Sequence, residues 1–371
     1  IGDKRGPQAA GLCLQYDAGR MGRLMLQTCL LPDRPEPYNL AVELARHRIK
    51  MFIAKSEEWQ MFELSAEHPA MERWEKARKL FTRALIATDP AEADHHARES
   101  LILAIDASER LALAHAQILL HRRYGQKAAS TATLGVRISP ARNAPALRQL
   151  VEREFDVISI PLTWRDLEVE EGRYEWGPVD RWMEWAHGTG KPVVAGPLLD
   201  FSRPALPDWM YVWQHDYETC RDLAYDHIER VIQRYGSAVN MWNVASGLPV
   251  NDNFQFTMPQ LMDLVRMASL LVRQSSRGGR TMLELAQPFG EYAANNREAV
   301  SPMAFLDRVM QEGIRIDALG VQMVFGRGDS GWMTRDLMQV SDLLDHFYML
   351  ELPVVLSACG VPSDCDERNA G

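Results

Sequence analysis

The feature that most constrains this chain is a strict alternation of short apolar runs with amphipathic helical runs from residue 127 onward. The strand-like runs are "ATLGVRIS", "VISIPL", "KPVVAGPLL", "AVNMWNVAS", "RTMLELAQ", "IDALGVQMVF" and "LPVVLSAC". Between them lie helical runs such as "APALRQLVEREF", "PVDRWMEWAHGTG" and "YETCRDLAYDHIERVIQRYG", the last two closed by glycine. Thr257 and Gln260 are spaced as a capping box, and Ser301 with Pro302 reads as an N-cap and first turn. Strands that alternate with helices pair in parallel, which predicts an α/β fold, a (β/α)8 TIM-type barrel over residues 127–371. The eighth strand is not evident, because "VPSDCDERNAG" after Gly360 is polar and turn-rich. The first and last runs carry almost no charge and read as strands buried on both faces, so a direct pairing between them is not expected. The missing partner is expected beyond Gly371, with "LCLQYDAG", "RLMLQTCLL" or another subunit's edge as alternatives.

The first third differs. Residues 37–126 hold three helical runs with apolar residues at three and four spacing, two of them long. An amphipathic hairpin of this kind packs on a neighbour, so a homo-oligomer or larger assembly through it is an expectation. Residues 1–36 mix alternating apolar residues with a Pro-rich break and read as the end of an upstream β domain.

A net charge of -9 with no basic stripe argues against nucleic acid, and no apolar run approaches the ~18 residues of a membrane span. Cysteines 13, 29, 220, 359 and 365 form no C-x-x-C pair, and His95, His96, His115 and His121 follow no recognised ligand pattern. Neither a disulfide framework, a metal nor a cofactor is expected. The tripeptide in "GRGDSG" at 326–331 reads as a turn. The first residue is Ile1, and no targeting segment is visible.

Five fragments in order carry a resemblance. "LTWRDLEVEEGRYEWGPVDRWMEWA" places Trp164, Glu168, Gly172, Tyr174 and Asp180 in step with the second-strand region of glycoside hydrolase family 10, the endo-1,4-β-xylanase barrels. "GPLLDFSRPALPDWM", "MWNVASG", "ALGVQMVF" and "LPVVLSACG" resemble four later blocks of that family. The resemblance implies a secreted or cell-envelope carbohydrate-active barrel. It also implies a loss: the family's acid/base Glu falls on Gly247 and its nucleophile on Ala358. Ser246, Ser159, Ile160, Thr163, Pro197 and Val324 stand where the family has other polar groups, whereas Trp164, Trp209 and Gln322 are retained near the expected sugar. A retaining glycosidase needs two carboxyl groups ~5 Å apart, which Gly and Ala cannot supply.

Other acids expected at the mouth are Asp200, Asp252, Glu284, Glu291, Asp329 and Asp364. Glu284 interrupts an apolar strand, and "PFGEY" groups Phe289, Glu291 and Tyr292 in a composition that suits sugar stacking. Trp182 and Trp185 read as core; Trp209 and Trp213 read as loop residues able to stack on a pyranose. The leading expectation is a non-catalytic glycan-binding or structural protein. The alternatives are a hydrolase using Glu284 and Glu291, and an interaction scaffold without sugar affinity.

Overall fold

The computed structural model describes residues 8–61, 64–125, 133–142, 144–276, 278–294, 296–326 and 332–361. Asp329, Asp364, Cys365 and most of the Arg-Gly-Asp turn lie outside the described residues. The chain divides into two compact units, one of residues 1–130 with 325–345 and one of residues 131–324 with 346–371.

The first unit opens with an antiparallel hairpin of β1 (Cys13–Asp17) and β2 (Arg23–Gln27), whose Leu24 and Leu26 are buried. Three helices follow, α1 (Leu40–Glu58), α2 (Pro69–Ile86) and α3 (Pro90–Gly125). Each matches an expected helical run. Ala70, Ala77 and Ala84 recur every seven residues along α2, and all are buried, as are Ala97 and Ala104 of α3. Side chains this small bring two helix backbones together; the Ser100 hydroxyl of α3 donates directly to the Ala77 carbonyl of α2 at 2.8 Å.

Residues 332–345 also belong to this unit, although in sequence they connect two barrel strands. Asp336 starts α10 (Leu337–Tyr348) as half of a capping box: the Gln339 amide nitrogen donates to Asp336 at 3.0 Å, and the Asp336 amide donates to the Gln339 side chain at 3.3 Å. The other Asp336 carboxylate oxygen takes a short hydrogen bond from Arg48 of α1, and both side chains are almost wholly buried. Lys55 of the same helix reaches Asp345 at 2.9 Å and Asp342 at 3.4 Å. Glu109 of α3 accepts the Leu337 amide at 2.8 Å. Burial, reinforced by the charges of Asp336 and Asp106, pushes the Glu109 carboxyl up to about 7 against the opposing pull of that amide and of Arg48.

In the second unit β3 (Gly135–Arg137), α4 (Pro145–Glu154) and β4 (Val157–Ile160) open the alternation. A short α5 (Trp164–Leu167) leads to a small hairpin of β5 (Glu168–Glu170) and β6 (Arg173–Tyr174), then α6 (Gly177–Thr189), capped by Gly190 at φ 69°. The series continues through β7 (Val193–Ala195), α7 (Tyr217–Tyr235), β8 (Met241–Ser246), α8 (Met258–Ser275), β9 (Arg280–Leu285), α9 (Pro302–Gln311), β10 (Ala318–Val324) and β11 (Val354–Gly360). The Thr257–Gln260 capping box and the Ser301 N-cap form as expected. Seven strands make one parallel sheet in the order β3-β4-β7-β8-β9-β10-β11. Ile158, Ile160, Trp242, Val244, Leu319 and Val321 are sealed in its core, as is Trp182 of α6. Close packing fixes one further glycine: a Cβ on Gly196 would lie 2.5 Å from the Asn243 carbonyl oxygen.

Among the described residues β3 and β11 do not pair with each other, as the charge-poor edges implied. Their burial on two faces, however, does not hold. Leu134 beside β3 is 59% exposed and Leu356 in β11 is 53% exposed, and among the described residues each strand has a neighbour on one side only. Among the described residues the N-terminal runs form a two-stranded sheet of their own, β1 with β2, and not the expected alternative of an eighth barrel strand.

Two outcomes follow from the first unit. Asp336→Asn leaves Arg48 buried without a counter-charge and is expected to cost about 3–5 kcal/mol in urea unfolding. The raised Glu109 pKa means that the folded state holds a proton the unfolded chain has released. Its stabilising contribution is therefore complete below about 4.5 and declines as pH rises to about 7. Urea midpoints of the wild type relative to Glu109→Gln should fall across that window; a constant difference refutes the assignment.

Candidate functional site

Strands of a parallel barrel deliver their last residues to one end, so the carboxyl ends of β8 to β11 define the candidate site. In register, Ser246 of β8 lies beside Glu284 of β9, and Glu284 beside Gly320 of β10, two residues before Gln322. Three polar side chains thus meet. The Ser246 hydroxyl and the Gln322 amide both donate to the same Glu284 carboxylate oxygen, each at 2.7 Å, and Glu284 is 2% exposed. Glu284 is thereby a buried acid with partners on both neighbouring strands.

Asp200, in the loop after β7, accepts the Ser202 amide at 2.9 Å. Burial raises its pKa, the nearby Glu284 charge raises it further, and Ser202 and Arg137 at the end of β3 oppose the shift. Asp200, Glu284 and Arg137 therefore share one electrostatic environment, drawn from three strands spread along the sheet.

Gly247 directly follows β8 in the left-handed region at φ 65°, and its amide donates to the Glu284 carbonyl at 3.3 Å. A Cβ built there would touch only Ala286. Ala358 lies near the end of β11, paired with Gln322 across a register shift that leaves Ser357 unmatched. Both positions are at the strand ends where the sequence put them, with β9 and β10 between their strands.

The remaining nominees are dispersed. Glu291 and Tyr292 sit in a turn of 3-10 type after β9, where the Tyr292 hydroxyl donates to the Val300 carbonyl at 2.9 Å. Asp252 is exposed in the loop after β8. Trp164 is 3% exposed; its indole nitrogen donates to Glu168 at 2.7 Å, and its ring stacks on His227 at 4.4 Å. Trp209 is half-buried, meets Trp164 edge-on and donates to the Glu168 carbonyl at 3.1 Å. Trp164 thus has no open face for a sugar, and Trp209 keeps part of its ring exposed.

The sequence reading missed the system around Glu168, which is buried and also accepts the Gly172 amide at 2.7 Å. Tyr174 and His227 complete it at 3.1 Å, and burial followed by the Arg230 charge pushes His227 down to about 3, so it is neutral. The only signal available was that Glu168 and Tyr174 fall in step with the family. On α3, ligand atoms of His95, His96 and Glu99 come within 4.8 Å of one another, a surface grouping the sequence reading set aside.

The model of Glycosyl hydrolase family 10 matches residues 124–359. This chain belongs to that family. Its second unit is accordingly the family's TIM-type (β/α) barrel, with seven strands described. Among curated proteins it is similar to endo-1,4-beta-xylanase B of Humicola insolens, 28% identical over 125 residues, which is 33% of this chain and 34% of that protein. Endo-1,4-beta-xylanase 3 of Hypocrea jecorina is 23% identical over 175 residues, 46% of this chain and 49% of that one. The chain spans less than half the length of these relatives. A GH10 xylanase from Thermobacillus composti superposes with a TM-score of 0.49 at 15% identity, covering 63% of this chain and 70% of that one.

The Asp200 midpoint, followed by carboxyl NMR, is expected above the ordinary Asp range and should drop in Glu284→Gln, which removes the neighbouring charge. An unchanged midpoint separates the two groups. Glu284→Leu strips Ser246 and Gln322 of their acceptor and is expected to cost roughly 1–3 kcal/mol per stranded group in urea unfolding.

Proposed function

We propose that this family 10 barrel binds a polysaccharide or oligosaccharide without cleaving it. What supports the reading is the in-order resemblance of the strand fragments, which aligns Gly247 after β8 and Ala358 in β11 with the family's acid/base and nucleophile. Neither side chain can protonate a leaving group or form a glycosyl intermediate. The buried Glu284 supports the same reading, since its inner oxygen already serves Ser246 and Gln322. Residues 247, 286 and 358 are small, and Asp200 and the half-buried Trp209 are the candidate sugar contacts. The names of the xylanase relatives supply the ligand class.

One observation favours a second reading, hydrolysis by relocated acids. Burial holds the proton on Asp200 more tightly than on an ordinary Asp, and the Glu284 charge adds to that, so a carboxyl suited to the acid role has a second carboxylate in its surroundings. Glu291 and Tyr292 belong to this reading only as weaker candidates, given their place in a separate loop.

A glycan array run beside a hydrolysis screen separates the two. The expected result is binding with no release of reducing sugar from xylan. Gly247→Glu and Ala358→Glu, each alone, are expected to gain no turnover, because one carboxylate restores half of a two-group mechanism. At φ 65° a Glu at 247 also carries roughly 1–2 kcal/mol of backbone strain. Wild-type turnover that disappears in Asp200→Asn or Glu284→Gln would establish the second reading instead.

A further inference from the structure

We infer that a second site, formed between α7 and the β5–β6 hairpin, binds a carboxylate-bearing sugar such as a uronic acid unit. The site is an open cavity of about 530 Å³ lined by Gly172, Tyr174, Trp176, Arg230, Gln233 and Arg234. Its size falls in the range of small-ligand pockets.

Helical spacing builds one wall. Arg230 and Arg234 are four residues apart on α7 with Gln233 beside them, and all three are exposed, while Ile228, Val231 and Ile232 turn inward. The other wall is aromatic: Tyr174 and Trp176 stack at 4.6 Å and 13°. Each arginine lies over one of these rings, Arg230 at 5.4 Å from the Tyr174 centroid and Arg234 at 5.1 Å from that of Trp176. Asp180 holds Arg234 in a two-pronged grip, with contacts of 2.8 and 2.5 Å, and also accepts the Tyr235 hydroxyl, so that guanidinium is fixed and neutralised. Arg230 has no ion pair among the described residues, and Glu170 and Glu175 of the hairpin region pair with Arg173.

The result is an exposed guanidinium over the Tyr174 ring with no ion pair among the described residues, next to an amide and two partly exposed rings, with Asp226 one helical turn before it. A guanidinium presents paired donors that match a carboxylate, and Gln233 can serve ring hydroxyls. That the anion is borne by a sugar rests on the glycan reading above; that it is an anion rests on the cavity alone.

The test is calorimetric titration of the full chain with a glucuronate-substituted xylo-oligosaccharide, the unsubstituted oligosaccharide of equal length, free D-glucuronate and sodium sulfate. The substituted oligosaccharide is expected to bind at least tenfold tighter than the neutral one. Arg230→Gln should abolish that preference and Arg230→Lys retain part of it, since Lys keeps the charge and loses the fork. Equal affinity for the two oligosaccharides, or a preference that survives Arg230→Gln, overturns the site while leaving neutral glycan binding at the barrel mouth intact. Sulfate binding as tightly as glucuronate overturns the sugar assignment. Failure of both oligosaccharides and free glucuronate overturns this site and the glycan reading together.

Discussion

A carboxylate enclosed by parallel strands persists only where neighbouring strands supply donors, and Glu284 sets that condition at the heart of this barrel. With 2% exposure it needs hydrogen bonds from both sides, and it takes them from Ser246 and Gln322. The three residues lock the registers of β8, β9 and β10 at their carboxyl ends. They also consume polar capacity that a catalytic mouth would aim at substrate. Ser246 and Gln322 are therefore better understood through Glu284 than through a sugar, and Asp200 acquires its raised pKa partly because Glu284 is held nearby as an acceptor.

The first unit rests on a related constraint, an ion pair removed from water. Arg48 and Asp336 lie far apart in sequence, yet both are almost wholly buried and joined. Once Asp336 is committed to Arg48 and to the Gln339 amide, the start of α10 is fixed, and Glu109 is left to cap it in a setting that discourages its charge. The run between β10 and β11 is thereby part of two stories: its helical period belongs to the alternation of the barrel, while its polar contacts belong to the helical unit.

Much of this was legible beforehand, and the reasons are local. Helices announced themselves through apolar spacing and through caps such as Thr257 with Gln260 and Ser301, which are decided within four residues. Strand order followed because parallel strands require crossovers and consecutive crossovers favour neighbours. Gly247, Glu284, Gln322 and Ala358 could be placed at strand ends for the same reason. What misled was burial. Trp164 looks like a sugar platform in sequence, but its indole is consumed by Glu168 and His227, the latter contributed by α7 more than sixty positions later. The charge-poor edges of β3 and β11 looked doubly covered, yet Leu134 and Leu356 are open to solvent.

By itself the sequence determined the alternation, the family, and the identity of the small residues at the two strand ends, because each is written in spacing and residue type. Tertiary structure alone decided which acids act together. Ser246, Glu284 and Gln322 are separated by 38 residues at each step, and nothing in a one-dimensional pattern says that two donors converge on one oxygen. Likewise Arg230 and Arg234 lie one turn apart on the same face of α7, and only the fold gives Arg234 a partner in Asp180. The physical reason is the same in each case: propensity and periodicity act over a few residues, whereas desolvation and charge pairing depend on whatever the finished fold brings within 3 or 4 Å.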